Sequence, residues 1–205
     1  MNYTDILNFE YDFSKYMEAF LERNSVLNLI SKNEEKFLYE KHIYDSLAIK
    51  LFFDKYNIVS GNLLDIGSGG GFPALPIALV YPKISVTALD SIQKKINAIL
   101  AIKQELNITN LDVICDRAEN LKEEKYDIIT SRAVAPIEVL VKYAAPLLEP
   151  EGYFVAYKSK RSVEEIHDAE LVLQKYKLKC IDMINYTLPL DELYERKLLI
   201  FKRFI

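Results

Sequence analysis

Four of the chain's six glycines fall within five residues, in the stretch Leu63-Leu64-Asp65-Ile66-Gly67-Ser68-Gly69-Gly70-Gly71-Phe72-Pro73. The apolar run before them reads as a buried strand, the glycines as a tight turn, and Pro73 to Tyr81 as the start of a helix. A strand, a glycine turn and a helix in that order bring bare backbone N–H groups and a helix N-terminus up against a polar ligand. The dinucleotide fingerprint needs glycines at its first, third and sixth positions. Phe72 occupies the sixth position here, which weakens a nicotinamide reading. An ordinary glycine-rich loop satisfies the same residues, so the segments that follow decide.

They continue the alternation. Ile84 to Leu89 is a second apolar, β-branched run ending in Asp90, 23 residues after Gly67. That distance is close to the about 20 residues expected for a ribose-binding carboxylate. Asp90 can accept both hydrogen bonds of a ribose diol, and can also cap the helical pattern of Ser91 to Asn107. Leu111 to Cys115 reads as a third strand, followed by Asp116-Arg117-Ala118-Glu119. Tyr126 to Thr130 reads as a fourth, running into Ser131-Arg132-Ala133. Three strand–helix alternations predict a doubly wound α/β sheet with its ligand at the strands' C-terminal ends. The glycines at 67, 69 and 71, preceded by Asp65, resemble the first motif of class I S-adenosylmethionine-dependent methyltransferases.

Helical spacing runs through residues 5 to about 24 and again through 33 to 53, with a break near Tyr56 to Asn62. The expected division is an N-terminal helical extension, residues 1–57, packed on a ligand-binding sheet domain, residues 58–205. After the fourth strand, Ile137 to Leu148 reads as a helix ending at Pro150-Glu151-Gly152, and Tyr153 to Tyr157 as a fifth strand. A helix over Val163 to Lys177 precedes two strands near Lys179–Tyr186 and Lys197–Phe204, expected as an antiparallel pair at the edge.

Composition removes several alternatives. No stretch approaches the about 20 apolar residues of a membrane span, and the N-terminus lacks a signal-peptide pattern, so a cytoplasmic, non-membrane protein is expected. Cys115 and Cys180 are too few for a disulfide framework and read as reduced structural thiols, Cys115 inside a buried strand. Two cysteines and two isolated histidines, of which His167 reads as solvated, predict no metal site. The net charge is −4 and no part of the chain is strongly basic, unlike a typical nucleic-acid binder. Any contact with RNA must come from basic groups that the fold gathers locally.

Specific residues point further. Asn28-Leu29-Ile30-Ser31, His42-Ile43-Tyr44-Asp45-Ser46-Leu47 and Gly67 to Pro76 resemble the RsmG (GidB) methyltransferases. So do Leu89-Asp90-Ser91, Ser131-Arg132-Ala133, Lys158-Ser159 and Glu195-Arg196-Lys197. The chain departs from that pattern at Ala74 and Ser159, where the family often has glycine. The resemblance implies a Rossmann-like, mostly parallel seven-stranded sheet, S-adenosyl-L-methionine as cofactor, and methylation of N7 of a guanosine in 16S ribosomal RNA. The partner is then that RNA or the small ribosomal subunit, with the enzyme expected as a monomer. The resemblance places the cofactor on Gly67, Phe72, Ala118, Glu119 and Arg132. Gly69, from the glycine turn, and Asp90, from its strand-end position, join them.

Other residues have two readings each. Glu119 can read adenine donors or stand as a solvated carboxylate. Arg132 follows an apolar strand, and either meets cofactor and substrate or pairs with a nearby acid. His42 and Asp45 lie at i and i+3 on one helical face, able to share a site or to be satisfied at a junction. Lys158 ends the fifth strand, as a phosphate or base contact or as a plain terminal lysine. For RNA, Lys158, Arg196, Lys94 and Lys95 are the expected cations, with Arg132, Lys158 and Arg196 on one side.

Guanine N7 carries a lone pair and no proton, so methylation there needs alignment and no general base. Arg132, Lys158, His42 and Asp45 are therefore candidates for alignment. An Asn/Asp-Pro-Pro-aromatic motif of amino-group methyltransferases is missing where Thr130-Ser131-Arg132-Ala133 stands. Methylation of a small molecule or a protein, or a catalytically silent binding subunit, remain the alternatives.

Overall fold

The structure is a computed structural model that describes residues 10–122, 124–159, 162–192 and 194–204. The first five residues of the helix expected from residue 5 lie outside it, and the described helix begins at Ser14. The N-terminal part holds α1 (Ser14–Leu27), α2 (Lys32–Glu35), a π-helical segment (Leu38–Tyr44), α3 (Asp45–Leu47) and α4 (Ile49–Tyr56). The sheet region follows as β1 (Gly61–Ile66), α5 (Ala74–Val80), β2 (Ile84–Asp90), α6 (Gln93–Glu105), β3 (Leu111–Cys115), β4 (Tyr126–Arg132) and α7 (Ile137–Ala144). It closes with β5 (Leu148–Lys158), α8 (Ser162–Asp168), α9 (Glu170–Lys175), β6 (Leu178–Leu188) and β7 (Tyr194–Arg203).

One seven-stranded sheet has the order β3-β2-β1-β4-β5-β7-β6. The first five strands are parallel, and β7 runs antiparallel to both β5 and β6. Buried on both faces, the central strands carry nearly continuous apolar runs. One face packs on α1 to α6, where Phe20, Leu47 and Phe52 share a core with Leu63, Phe72 and Ile99. The other packs on α7 to α9, with Ile137, Leu140, Val141 and Ala144 forming a buried helical stripe. The strand order reverses between β1 and β4, and doubly wound sheets open their ligand crevice at that point.

Local chemistry explains several boundaries. Helices α1 and α4 end on the left-handed asparagines Asn28 and Asn57, and Asn107 follows α6 in the same conformation. The single helix expected over 33 to 53 is instead broken into four pieces, one of them π-helical. The expected helix over 163 to 177 is two short helices. The Pro150-Glu151-Gly152 turn lies within β5, where the pairing with β4 slips between Tyr126 and Ile128, so the strand starts at Leu148. Cys115 is exposed and not buried, because it sits at the far end of the edge strand β3.

Candidate active site

The glycine turn leaves β1 with Gly67 at φ +73° and Gly69 at φ +58°, conformations that side chains resist. A Cβ on Gly67 would fall 2.5 Å from Val134 Cγ2, in the turn that follows β4. A Cβ on Gly69 would stand 3.9 Å from the Gly67 carbonyl oxygen, an ordinary contact distance. Five of the turn's amides are engaged within the protein, where its sequence suggested bare ones. Gly67 and Ser68 donate to the Leu89 carbonyl, Gly71 and Phe72 to the Ser68 carbonyl, and Gly69 to Asp90 Oδ2 at 2.9 Å. The amides hold the turn's own shape and leave smooth backbone facing outward.

Asp90 ends β2, nearly buried. Its Oδ1 accepts from the Ile92 amide at 2.9 Å, and Lys95 Nζ lies 3.8 Å from Oδ2. The carboxylate is thus clamped between the glycine turn and the start of α6, while still lining a cavity of about 530 Å³. Leu89, Ile92, Ala118 and Tyr143 give this first cavity apolar walls; Glu119 stands exposed at its rim on a 3₁₀ turn (Ala118–Asn120). Lys95, expected to contact RNA, instead faces Asp90 and lines this cavity. Lys94 is exposed and lines none of the cavities at the site.

At the end of β4 the chemistry changes character. Arg132 Nη1 donates to Asp45 Oδ2 at 3.0 Å and to the Lys41 carbonyl at 3.1 Å, and Nη2 lies 3.1 Å from His42 Nδ1. The guanidinium sits 5.3 Å from the centre of the Phe72 ring. The buried Asp45 also accepts from Tyr186 Oη at 2.6 Å, and Arg196 Nη2 lies 3.5 Å from its Oδ2. Tyr157 Oη donates to the Ser46 carbonyl at 2.6 Å. The helical pair His42 and Asp45 thus meets the ends of β4, β5 and the β6–β7 hairpin. Burial, and then the Arg132 charge, lower the His42 pKa to about 4, so the ring is neutral at pH 7. Burial raises the Asp65 carboxyl to about 6, against hydrogen bonds from Ser68 and Thr130.

Arg132 does not line the first cavity. It lines a second, of about 460 Å³, with Lys158, Tyr194 and Arg196, and a third, of about 560 Å³, with Phe72 and the glycine turn. Ala133, left-handed at φ +58°, lines all three cavities. The expected gathering of Arg132, Lys158 and Arg196 is present around the second cavity. Lys158, however, is no free cation: it donates to Glu165 Oε2 at 2.7 Å and to the Ala135 carbonyl at 2.8 Å. Sequence reasoning gave no role to Tyr157, Tyr186, Glu165 or Ala133. Only the Ser131-Arg132-Ala133 segment hinted at the last.

The strand order, the glycine turn and the acid ending β2 define a class I methyltransferase fold. Solved structures agree. The ribosomal protein L11 methylase of Lactobacillus delbrueckii superposes at a TM-score of 0.60, with 14% identity over 78% of each chain. M. jannaschii TYW2 in complex with AdoMet superposes at 0.57, with 13% identity over 71% of this chain and 70% of that one. The chain belongs to the GidB family, rRNA small subunit methyltransferase G, whose pattern matches residues 10–189. Relatives of that name include one from Lysinibacillus sphaericus, 35% identical over 88% of this chain and 77% of its own length. Another, from Staphylococcus epidermidis, is 38% identical over 78% of this chain and 68% of its own.

Enzymes of this class use S-adenosylmethionine, and the residues present fit it. Asp90 retains lone pairs for ribose hydroxyls after its two backbone bonds. The apolar walls of the first cavity at Leu89, Ile92 and Ala118 suit adenine, and the missing side chain at Gly69 leaves room for a chain of atoms along the third cavity.

Proposed function

We propose that this chain transfers a methyl group from S-adenosylmethionine to N7 of a guanine in small-subunit (16S) ribosomal RNA. The observation that carries the reading is that three neighbouring cavities share Ala133 in their walls. One cavity has the Asp90 carboxylate and apolar walls, one runs over the glycine turn, and one is rimmed by Lys41, Tyr194 and Arg196. When bound, the cofactor supplies an electrophilic methyl on a sulfonium. Everything else falls to the protein's own groups. Asp90 and the wall at Ala118 orient the nucleoside end. Phe72 and Val134 exclude water beside the glycine turn. Arg132 and Arg196 share one carboxylate, Asp45, so their cluster keeps a positive charge beside the second cavity, favourable to a polyanion.

No group here is asked to remove a proton, since N7 has none to lose. His42, neutral at pH 7, and Arg132 serve alignment. In this reading the described part of the 1–57 extension, residues 10–57, walls the substrate side, and the chain works as a cytoplasmic monomer. Among the described residues no helix is long and apolar enough to cross a membrane.

Labelled methyl transfer to purified small ribosomal subunits, with the modified base mapped by cleavage at N7-methylguanine, tests the reading. Label confined to small metabolites or proteins would refute the RNA substrate. Label on an exocyclic amine would refute N7.

A further inference from the structure

His42 holds a buried hydrogen-bond donor that no described residue satisfies. Its Nδ1 lies against Arg132 Nη2, and a guanidinium only donates, so Nδ1 accepts. The proton of the neutral ring therefore sits on Nε2. Nε2 is buried and without a hydrogen-bond partner among the described residues; Glu34 Oε1 stands 4.0 Å away, beyond hydrogen-bond reach. The ring is only 8% exposed and is fixed on its other side by Phe72, 5.0 Å between ring centres. It lines both the second and the third cavities, whose linings also share Arg132 and Ala133. An unsatisfied buried donor is destabilising, and a ligand acceptor at that place removes the cost.

Resting on the guanine reading above, we infer that the Nε2–H of His42 selects the target base by donating a hydrogen bond to guanine O6. O6 neighbours N7 on the same edge of the base, so a site that reaches N7 has O6 at hand. Adenine carries an amine at that place. Two donors would then face each other, and the buried N–H would remain unpaired. A neutral imidazole suits this task because it offers one fixed donor and no charge to attract phosphate indiscriminately. Its lowered pKa keeps it neutral through the physiological range. The charged groups around it are Arg132 and Asp45, paired with one another, and Glu34 and Lys41 from its own helical region.

Nitrogen NMR on protein labelled at histidine reads this directly. The chain has two histidines, and the exposed His167 serves as internal control. With S-adenosylhomocysteine present, guanosine and inosine 5′-monophosphates, which share O6, should move the His42 Nε2 resonance. Adenosine 5′-monophosphate should leave it in place. Equal movement with the adenosine nucleotide, or no movement at His42 up to the guanosine nucleotide's solubility limit, overturns the role. His42→Leu should lower kcat/KM on small subunits at least about tenfold, the scale of one buried hydrogen bond. S-adenosylhomocysteine affinity should hold, and His42→Gln, which keeps an amide donor, should recover much of the loss. Equal loss in both variants also overturns the role. Wild-type protein that methylates no ribosomal guanine refutes the guanine reading itself, and this role with it.

Discussion

Asp90, at the end of β2, is held by amides two and 21 residues away, whereas Arg132, at the end of β4, is held by groups 87 to 91 residues away. The first is a backbone device, written in one stretch of sequence and closed by a glycine turn. The second is a side-chain device, assembled from the π-helical segment, β4, β6 and β7 around one buried carboxylate. The difference teaches where each half of the site is vulnerable. The cofactor half depends on backbone conformation and tolerates distant change. The substrate half depends on the whole fold arriving together, because Arg132 and Arg196 are compensated by Asp45, 87 or more residues away.

The most damaging test of that contrast is Asp45→Asn. It leaves Arg132 and Arg196 without their shared counter-charge, and breaking a buried pair costs about 3–5 kcal/mol. Urea denaturation should show a loss of that size; a loss like that of a surface substitution would mean the cluster is not a structural hub. The acid side comes next. His42 has a folded-state pKa of about 4 against about 6.5 unfolded, so the unfolded chain takes up a proton that the folded one refuses. Its contribution is complete above about pH 6.5 and is lost as pH falls through 4, up to about 3 kcal/mol. Asp65, raised to about 6, works the opposite way, since protonation favours its folded state. The difference in stability between wild type and His42→Gln should therefore shrink as pH falls from 6.5 to 4, and a difference flat with pH would remove the assignment.

On the cofactor side the effects are smaller and confined to binding. Asp90→Ala should weaken S-adenosylhomocysteine by about 1.5–3 kcal/mol in calorimetry, the range for hydrogen bonds to a charged group. Its KM for small subunits should stay near wild type, and a change there instead would put Asp90 in the wrong half. Gly69→Ala should cost about 1–2 kcal/mol of stability from its left-handed backbone. Its methyl would enter the room left along the third cavity, so cofactor affinity should fall while Asp45 and Arg132 stay coupled in a double-mutant cycle.

The same contrast explains what the sequence disclosed. Strands β1 to β4 were legible because apolar runs, turn residues and strand-end acids are local signals, and the position of Asp90 followed from them, whereas Ala118 and Glu119 came from the family resemblance. The shared environment of His42 and Asp45 was legible from their helical spacing. Their partner Tyr186 was not, since 141 residues separate it from Asp45 and fourteen tyrosines carry no distinguishing context. Nor could spacing reveal that the glycine amides turn inward, because that depends on the Leu89 carbonyl and the Asp90 carboxylate approaching from the next strand. The π-helical turn at Leu38–Tyr44 was read as ordinary helix, for the apolar periodicity of the two differs by too little over seven residues.

The antiparallel strand β7, lodged between β5 and β6, has a consequence for the order of events in synthesis. It carries Arg196, and β6 carries Tyr186, so two of the groups on Asp45 are translated well after β1 to β4. A nascent chain that has already formed β1 to β4 possesses its glycine turn and Asp90, yet holds an acid and an arginine still waiting for their remaining neighbours. One half of the site is thus built from neighbouring segments of the chain, and the other waits on groups that follow Asp45 by 141 residues or more.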